Sequence, residues 1–145
     1  VWADMAESIC LHYTVPGDDF TRAGEASADL KQRLKKLGLP PDAVRKVSIA
    51  LYEGEINLAI HAHGGNIDVE VGDDAVRMTL SDSGPGIADI ALAMSEGYST
   101  APDEVRSLGF GAGMGLPNMK KYSDEFDIQS AVGVGTTVRM AVRID

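Results

Sequence analysis

The chain has 145 residues, of which 44% are apolar and 24% are charged, and this composition is typical of one compact domain spanning residues 1–145. Its 22 acidic and 13 basic residues give a net charge of −9, which disfavours binding to nucleic acid and to anionic membrane surfaces. A single cysteine excludes an intramolecular disulfide framework, and no signal-peptide pattern or apolar span is present, so we expect a cytoplasmic protein.

Glycine is the one residue type in excess. The 16 glycines make up about 11% of the chain, against a usual ~7%. Seven of them fall between Gly84 and Gly115, which makes this stretch the first candidate for a functional region.

The first 65 residues predict one strand and two helices. Alternating apolar residues over 9–15 indicate a half-buried strand. A helix should follow, capped by a residue within 18–21 and stopped by Gly38. A second, longer helix should begin near Pro41 and end before Gly64–Gly65.

The rest of the chain predicts a hairpin, further helices and a closing pair of strands. Residues 67–80 alternate on both sides of Gly72–Asp74, as expected of a hairpin. The other predictions are a short helix at 88–94, an aperiodic segment at 95–110 that covers a site, a helix through 116–122, and strands at 125–131 and 136–144. We therefore expect an α+β fold: a two-layer α/β sandwich with a mixed, mostly antiparallel sheet and helices on one face.

The second helix carries a set of polar side chains at a spacing of four. Glu53, Asn57 and His61 lie on one helical face, where a carboxylate, an amide and an imidazole could contact one ligand. Taken alone, such a set is more often a solvated face. Glu55, the competing carboxylate, is two residues before Asn57 and should point elsewhere.

A second group of candidate residues follows the hairpin. Asp82 has the same parity as Val76, Met78 and Leu80, so its carboxylate should lie on the buried side of the strand, where it needs a hydrogen-bond donor. The exocyclic amine of a bound base could be that donor. Glycines at positions 84 and 86 remove side chains beside it, although an ordinary turn would also contain them.

The run from Gly109 to Leu116 alternates glycine with other residues and leads into the third predicted helix. Alternating glycines leave consecutive backbone N–H groups unobstructed, which favours an anion-binding loop, although a hinge would also be glycine-rich. In the last strand, Thr136 shares the parity of the apolar residues, so it could hydrogen-bond Asp82 from the interior.

Together these segments resemble the GHKL ATPase superfamily, which includes gyrase, heat-shock chaperones, histidine kinases and mismatch-repair proteins. Residues 53–61 resemble its N box, 82–87 its first glycine box, 111–116 its second, and 135–136 its closing Gly-Thr. The stretches GPGIADIALAMSEGYST and GFGAGMGLPNMKKYSDEFDI are similar to the anti-sigma-factor serine/threonine kinases.

The resemblance implies the Bergerat ATP-binding fold and a site for ATP and Mg²⁺. Asp82 would accept the adenine amino group with support from Thr136, Asn57 would hold Mg²⁺, and Glu53 would be the general base toward a serine or threonine of a partner protein. The other nucleotide-binding residues would be His61, Gly84, Gly86, Ile87, Gly111, Ala112, Gly113, Met114, Gly115 and Leu116.

The implied partner is a regulatory protein of the sigma-factor or anti-sigma antagonist type, and a homodimer is also open. Two alternatives are an ATP-dependent protein-binding switch without phosphotransfer and a detached histidine-kinase catalytic domain. Ile60 stands where many histidine kinases have a lysine, and no preceding helical pair carries a phosphoacceptor histidine, which disfavours autophosphorylation on histidine.

Overall fold

A computed structural model of the chain describes residues 9–17, 22–87, 90, 94 and 115–144. The elements in chain order are β1 (Ile9–Pro16), α1 (Glu25–Lys36), α2 (Pro41–His61), β2 (Gly64–Val71), β3 (Ala75–Ser81), α3 (Gly115–Lys121), β4 (Glu125–Ala131) and β5 (Gly135–Arg143). The predicted α+β class is confirmed. Most of the short helix predicted at 88–94 lies outside the described residues, but Met94 N–H donates to the Ile90 carbonyl, a bond that spans one α-turn.

The five strands form one sheet in the order β1-β2-β3-β5-β4. All four neighbouring pairs are antiparallel, and two of them, β2–β3 and β4–β5, are the predicted hairpins. Because β5 lies between β3 and β4, the last strand of the chain begins next to the residues that follow β3. This placement brings the closing Gly-Thr beside Asp82.

One face of the sheet carries the core. Alternate residues of β2, β3 and β5 are almost completely buried under the helices, while their neighbours on the opposite parity, such as Asp68, Arg77 and Arg139, are exposed. The buried set is Ile67, Val69, Val71, Val76, Met78, Leu80, Val138, Met140 and Val142. The expected two-layer arrangement, with helices on one face, is thus confirmed.

Helix α2 packs closely on β3 at Gly54. A Cβ atom at this position would collide with the Leu80 side chain, so glycine permits the approach of helix to sheet. Close packing at Gly54 fixes the rotation of α2 about its axis. Its neighbour Glu53 is thereby left half-buried and directed toward α3.

Helix α1 begins later than the sequence predicts. Its first residue is Glu25, and Gly24 at the N-cap has a positive φ of 102° and makes no side-chain cap hydrogen bond. The predicted capping residues, at 18–21, lie outside the described residues. No helix among the described ranges is both long and apolar enough to cross a membrane.

Candidate functional site

Glu53 lies on the face of α2 that meets α3. Its carboxylate is half-buried. Burial raises the pKa of Glu53 above its ordinary value, and the polar side chain of Asn118 on α3 is a smaller influence in the opposite direction. A carboxyl group in this setting has the raised proton affinity that suits a general base.

Asn57 lies one helical turn after Glu53 and touches the start of α3. A Cβ atom at Gly115 would come within 2.9 Å of Asn57 Oδ1 and 3.0 Å of Nδ2, so the backbone of α3 approaches the amide directly. Asn57 Nδ2 donates to Met119 Sδ over 3.8 Å. Among the described residues nothing donates to its Oδ1, which leaves an oxygen atom of the type that Mg²⁺ prefers.

Two hydrogen bonds join Asp82 to Thr136, and a third joins Gly84 to the Asp82 carboxylate. Asp82 N–H donates to the Thr136 carbonyl over 3.0 Å, Thr136 N–H donates to Asp82 Oδ1 over 3.3 Å, and Gly84 N–H donates to the same oxygen over 2.9 Å. The group of Thr136 that contacts the Asp82 carboxylate is therefore its backbone N–H. In the described part of the chain Asp82 Oδ2 has no hydrogen-bond donor.

The Thr136 hydroxyl takes part in a different contact. It lies 2.8 Å from Ser130 Oγ, which also accepts the N–H of Ile87 over 2.7 Å. Ser130 thereby ties the end of the first glycine box to β5. Gly86, at a φ of 78°, packs so closely on the Ala131 carbonyl that no side chain fits there. The first glycine box is thus held against the β4–β5 turn.

A cavity of about 510 Å³ opens beside Asp82 and Gly84. It lies between the end of α2, the start of β2 and the end of β3, and it therefore meets only the Asp82 end of the expected nucleotide site. Its walls are formed by Thr14, Val15, Ala62, His63, Gly64, Gly65, Asn66, Ser81, Asp82, Ser83 and Gly84.

The remaining predicted site residues divide into two groups. Leu116 is half-buried in α3 and packs against the core, close to Gly115. Gly111, Ala112, Gly113 and Met114 lie outside the described residues, as does the segment at 95–110. Helix α2 ends at His61, whose side chain is likewise not described.

Sequence reasoning missed two residues of the site and the role of a third. Asn118 stands inside a short helix, where asparagine has low propensity, and this was an available sign that its side chain makes a contact. Ser130 shares the parity of Phe126 and Ile128 on the inner face of β4, where a polar side chain needs a partner. No local pattern indicated that Glu55 caps α1, where it accepts the N–H groups of Ala26 and Ser27.

Comparison with known proteins gives matches over most of the chain. Residues 18–142 match the histidine kinase-like ATPase domain family. The chain is 32% identical over 109 residues to serine/threonine-protein kinase RsbT of Bacillus subtilis, a match covering 72% of this chain and 76% of RsbT. It is 33% identical over 103 residues to the anti-sigma F factor of a Geobacillus species, with 67% of each chain covered.

Solved structures show the same fold at low sequence identity. The SiaB–SiaC complex of Pseudomonas aeruginosa contains a chain with a TM-score of 0.66 and 13% identity, covering 97% of this chain and 94% of that one. A Mycobacterium tuberculosis structure of RsbU and RsbW domains has a TM-score of 0.64 and 17% identity; the match covers 94% of this chain, which spans about a third (32%) of that one. From the family match and the identity to RsbT, the chain belongs to the histidine kinase-like ATPase domain family.

Proposed function

We propose that this chain is a protein kinase that transfers the γ-phosphate of Mg-ATP to a serine or threonine of a partner regulatory protein. The observation that carries the proposal is the half-buried carboxylate of Glu53, one helical turn from Asn57, on the α2 face that meets α3. The similarity to RsbT, which is named a serine/threonine-protein kinase, supports the same reaction.

The Asp82 end of the site fits an adenine ring. Asp82 Oδ1 is occupied by two backbone N–H groups, so the carboxylate is fixed in place while Oδ2 remains available to an exocyclic amine. At Gly84 a Cβ atom would come within 3.1 Å of the Ala62 carbonyl, which indicates a close approach of backbone segments around the carboxylate. The proposed adenine contacts are therefore Asp82, Gly84 and Thr136.

The α2–α3 end fits the phosphates and their metal ion. Mg²⁺ takes oxygen ligands and is usually bound by one or two side chains together with phosphates and waters. Asn57 Oδ1 would supply the side-chain ligand, and the metal ion would neutralise phosphate charge on this acidic chain. Backbone N–H groups of residues 111–116 complete the proposed phosphate site.

Glu53 supplies the base for the transfer. A serine or threonine oxygen of the partner forms a bond to the γ-phosphorus, the bond from that phosphorus to the bridging oxygen of ADP breaks, and Glu53 accepts the hydroxyl proton. A raised proton affinity suits Glu53 to hold this proton until ADP and product leave. Glu55 does not compete for this role because its carboxylate is buried against α1.

The proposed partner is a regulatory protein of the sigma-factor or anti-sigma antagonist type, in a cytoplasmic setting. The similarity to an anti-sigma F factor supports this class of partner.

The test uses two variants that separate nucleotide binding from phosphotransfer. Calorimetry measures Mg-ATP affinity, and γ-labelled ATP reports transfer to proteins that co-purify with the chain in ATP and Mg²⁺. We expect Glu53→Gln to bind Mg-ATP within about threefold of the native protein but to transfer phosphate at least about 100-fold more slowly. Asp82→Asn should weaken ATP binding by about 100-fold, because an amide in place of the carboxylate loses a charge-assisted bond.

Glu125→Gln, an exposed change on β4, is the control and should leave both measurements unchanged. Acid-labile phosphohistidine on the partner would instead identify a histidine-kinase catalytic domain. Tight binding without any transfer would identify a non-catalytic switch. Unchanged ATP affinity in Asp82→Asn would refute the adenine site.

A further inference from the structure

Ser130 lies near the end of β4 and contacts two separate segments of the proposed adenine site. Its Oγ accepts the Ile87 N–H over 2.7 Å and lies 2.8 Å from Thr136 Oγ1. Ser130 and Thr136 are opposite each other in the β4–β5 register, so both side chains lie on the same face of the sheet. One half-buried hydroxyl therefore joins the first glycine box to the closing Gly-Thr.

The distances around Ser130 decide where its hydroxyl proton goes. Two acceptors are within reach, Thr136 Oγ1 at 2.8 Å and the Gly135 carbonyl at 3.3 Å. An O–H···O hydrogen bond is normally about 2.5–3.0 Å long, so the Ser130 hydroxyl donates to Thr136. The Thr136 oxygen is then an acceptor and the hydroxyl keeps its own proton, for which the described residues provide no second partner.

Resting on the proposed function, we propose that Ser130 is a positioning residue for the adenine ring: it fixes the Thr136 hydroxyl so that its proton is directed to the ring nitrogen beside the exocyclic amine. Adenine carries a donor and an acceptor side by side on this edge, the 6-amino group and N1. Asp82 Oδ2 would accept from the amine, and Thr136, whose N–H contacts Asp82 Oδ1, would donate to N1. A hydroxyl already held by a second hydroxyl loses less rotational freedom on binding.

The β4–β5 turn holds the first glycine box by contacts that do not involve the Ser130 hydroxyl. Gly133 N–H donates to the Pro85 carbonyl over 2.8 Å, and at Gly86 a Cβ atom would collide with the Ala131 carbonyl. Removing the Ser130 hydroxyl alone therefore leaves the box packed against the turn. Ser130→Ala is for this reason a suitable variant for measuring the effect on Thr136.

The test compares ATP with 1-deaza-ATP, an analogue in which a C–H group replaces N1 while the amine stays. Calorimetry on the full chain with Mg²⁺ measures both affinities. The native protein should bind ATP about tenfold more tightly than the analogue, the contribution of one hydrogen bond. This ratio should fall to about threefold or less in Ser130→Ala, where the Thr136 hydroxyl is no longer held, and to about one in Thr136→Val.

Two further variants separate positioning from support of the fold. Ser130→Thr keeps the hydroxyl and should retain a ratio close to the native one. Thr137→Val, the matched control for Thr136→Val, removes a hydroxyl from the opposite face of β5 and should also leave the ratio unchanged. A Ser130 that only supported the fold would weaken both nucleotides by the same factor, so a native ratio in Ser130→Ala overturns the inference.

A readout without nucleotide examines the Thr136 side chain directly. Three-bond NMR couplings to Thr136 Cγ2 should report a single χ1 rotamer in the native protein and averaged rotamers in Ser130→Ala. The same couplings in both proteins would also overturn the inference. Failure of the native protein to bind ATP would refute the proposed function together with this role of Ser130, whereas phosphotransfer with equal affinity for ATP and 1-deaza-ATP would overturn the inference alone.

Discussion

Two glutamates on α2 show how position on one helix decides what a carboxylate does. Glu53 and Glu55 are two residues apart and therefore lie on different faces. Glu53 faces α3 and is half-buried, whereas Glu55 is 2% exposed and accepts three hydrogen bonds from the start of α1. The same functional group is thus available for chemistry at one position and fixed in the core at the other.

The raised pKa of Glu53 predicts a stability cost at neutral pH. A carboxyl whose pKa is higher in the folded than in the unfolded protein stabilises the fold below its ordinary value of 4.5, and this contribution is lost as the pH rises through the folded-state pKa. Glu53→Gln removes the buried charge, so its melting temperature at pH 7.5 should exceed that of the native protein by about 1–3 °C.

Calorimetric scans at pH 4.5 and 7.5 measure this difference, which should shrink at the lower pH. Glu125→Gln, an exposed change, is the control: its melting temperature should differ from that of the native protein by the same amount at both pH values. A Glu53→Gln variant that melts below the native protein at pH 7.5 contradicts the argument.

At the scale of elements, the start of α1 depends on a side chain from α2. The N-cap Gly24 offers no side-chain acceptor, and Glu55 takes its place: it accepts the N–H groups of Ala26 and Ser27, each over 3.0 Å, and the Ser27 hydroxyl over 2.7 Å. A carboxylate at a helix N-terminus is favoured both by these bonds and by the helix dipole. Helices α1 and α2 are therefore joined by a buried polar contact as well as by apolar packing.

Glu55→Ala should destabilise the fold by about 3 kcal/mol, because three donors lose their acceptor in a buried site. Urea unfolding followed by circular dichroism measures the loss. Glu25→Ala is the matched control: it removes an exposed carboxylate from the first turn of α1, the turn that Glu55 caps, and should cost less than about 1 kcal/mol. Equal losses in the two variants would mean that Glu55 does not cap α1.

At the scale of the whole molecule, the site depends on contacts between segments far apart in the chain. Thr136 and Asp82 are separated by 54 residues, and Asn57 and Met119 by 62. The strand order makes the first contact, since β5 pairs with β3 and so begins beside Asp82. Packing of α3 on α2 makes the second.

Gly135 tests the long-range contact at Asp82. Its φ is 143°, and a Cβ atom would collide with the Asp82 carbonyl, whereas Gly133 has a φ of 78° with open space around it. In both variants alanine must adopt a positive φ, which lowers the free energy of unfolding by about 1 kcal/mol. We expect Gly135→Ala to lose more than about 3 kcal/mol of stability and to weaken Mg-ATP binding at least about tenfold, because Asp82 must move.

Urea unfolding and calorimetry on both variants check this expectation. Gly133→Ala should show the backbone cost alone, with Mg-ATP affinity close to native. If the two alanine variants lose the same stability and the same Mg-ATP affinity, the close approach of β5 does not position Asp82.

Local pattern was sufficient for most elements of this fold. The bounds of β4, the β2–β3 hairpin and the start of α2 at Pro41 all follow from periodicity and turn residues, because these signals act over a few neighbouring residues. The motifs also placed Glu53 and Asn57 on one face of α2, since a spacing of four fixes side-chain direction on any helix. Two elements departed from expectation at their starts: α1, whose cap comes from a distant residue, and β2, which begins at Gly64 where the sequence predicts residue 67.

The partners of these side chains depended instead on how the elements pack. No pattern near Asn57 indicates Met119, and none near Gly24 indicates Glu55, since each pair joins different helices. Thr136 illustrates the difference: its parity on β5 was predictable, but the use of its N–H for Asp82 and of its hydroxyl for Ser130 follows from strand order and register. Periodicity determines which way a side chain points, whereas the group that it meets is set by long-range packing.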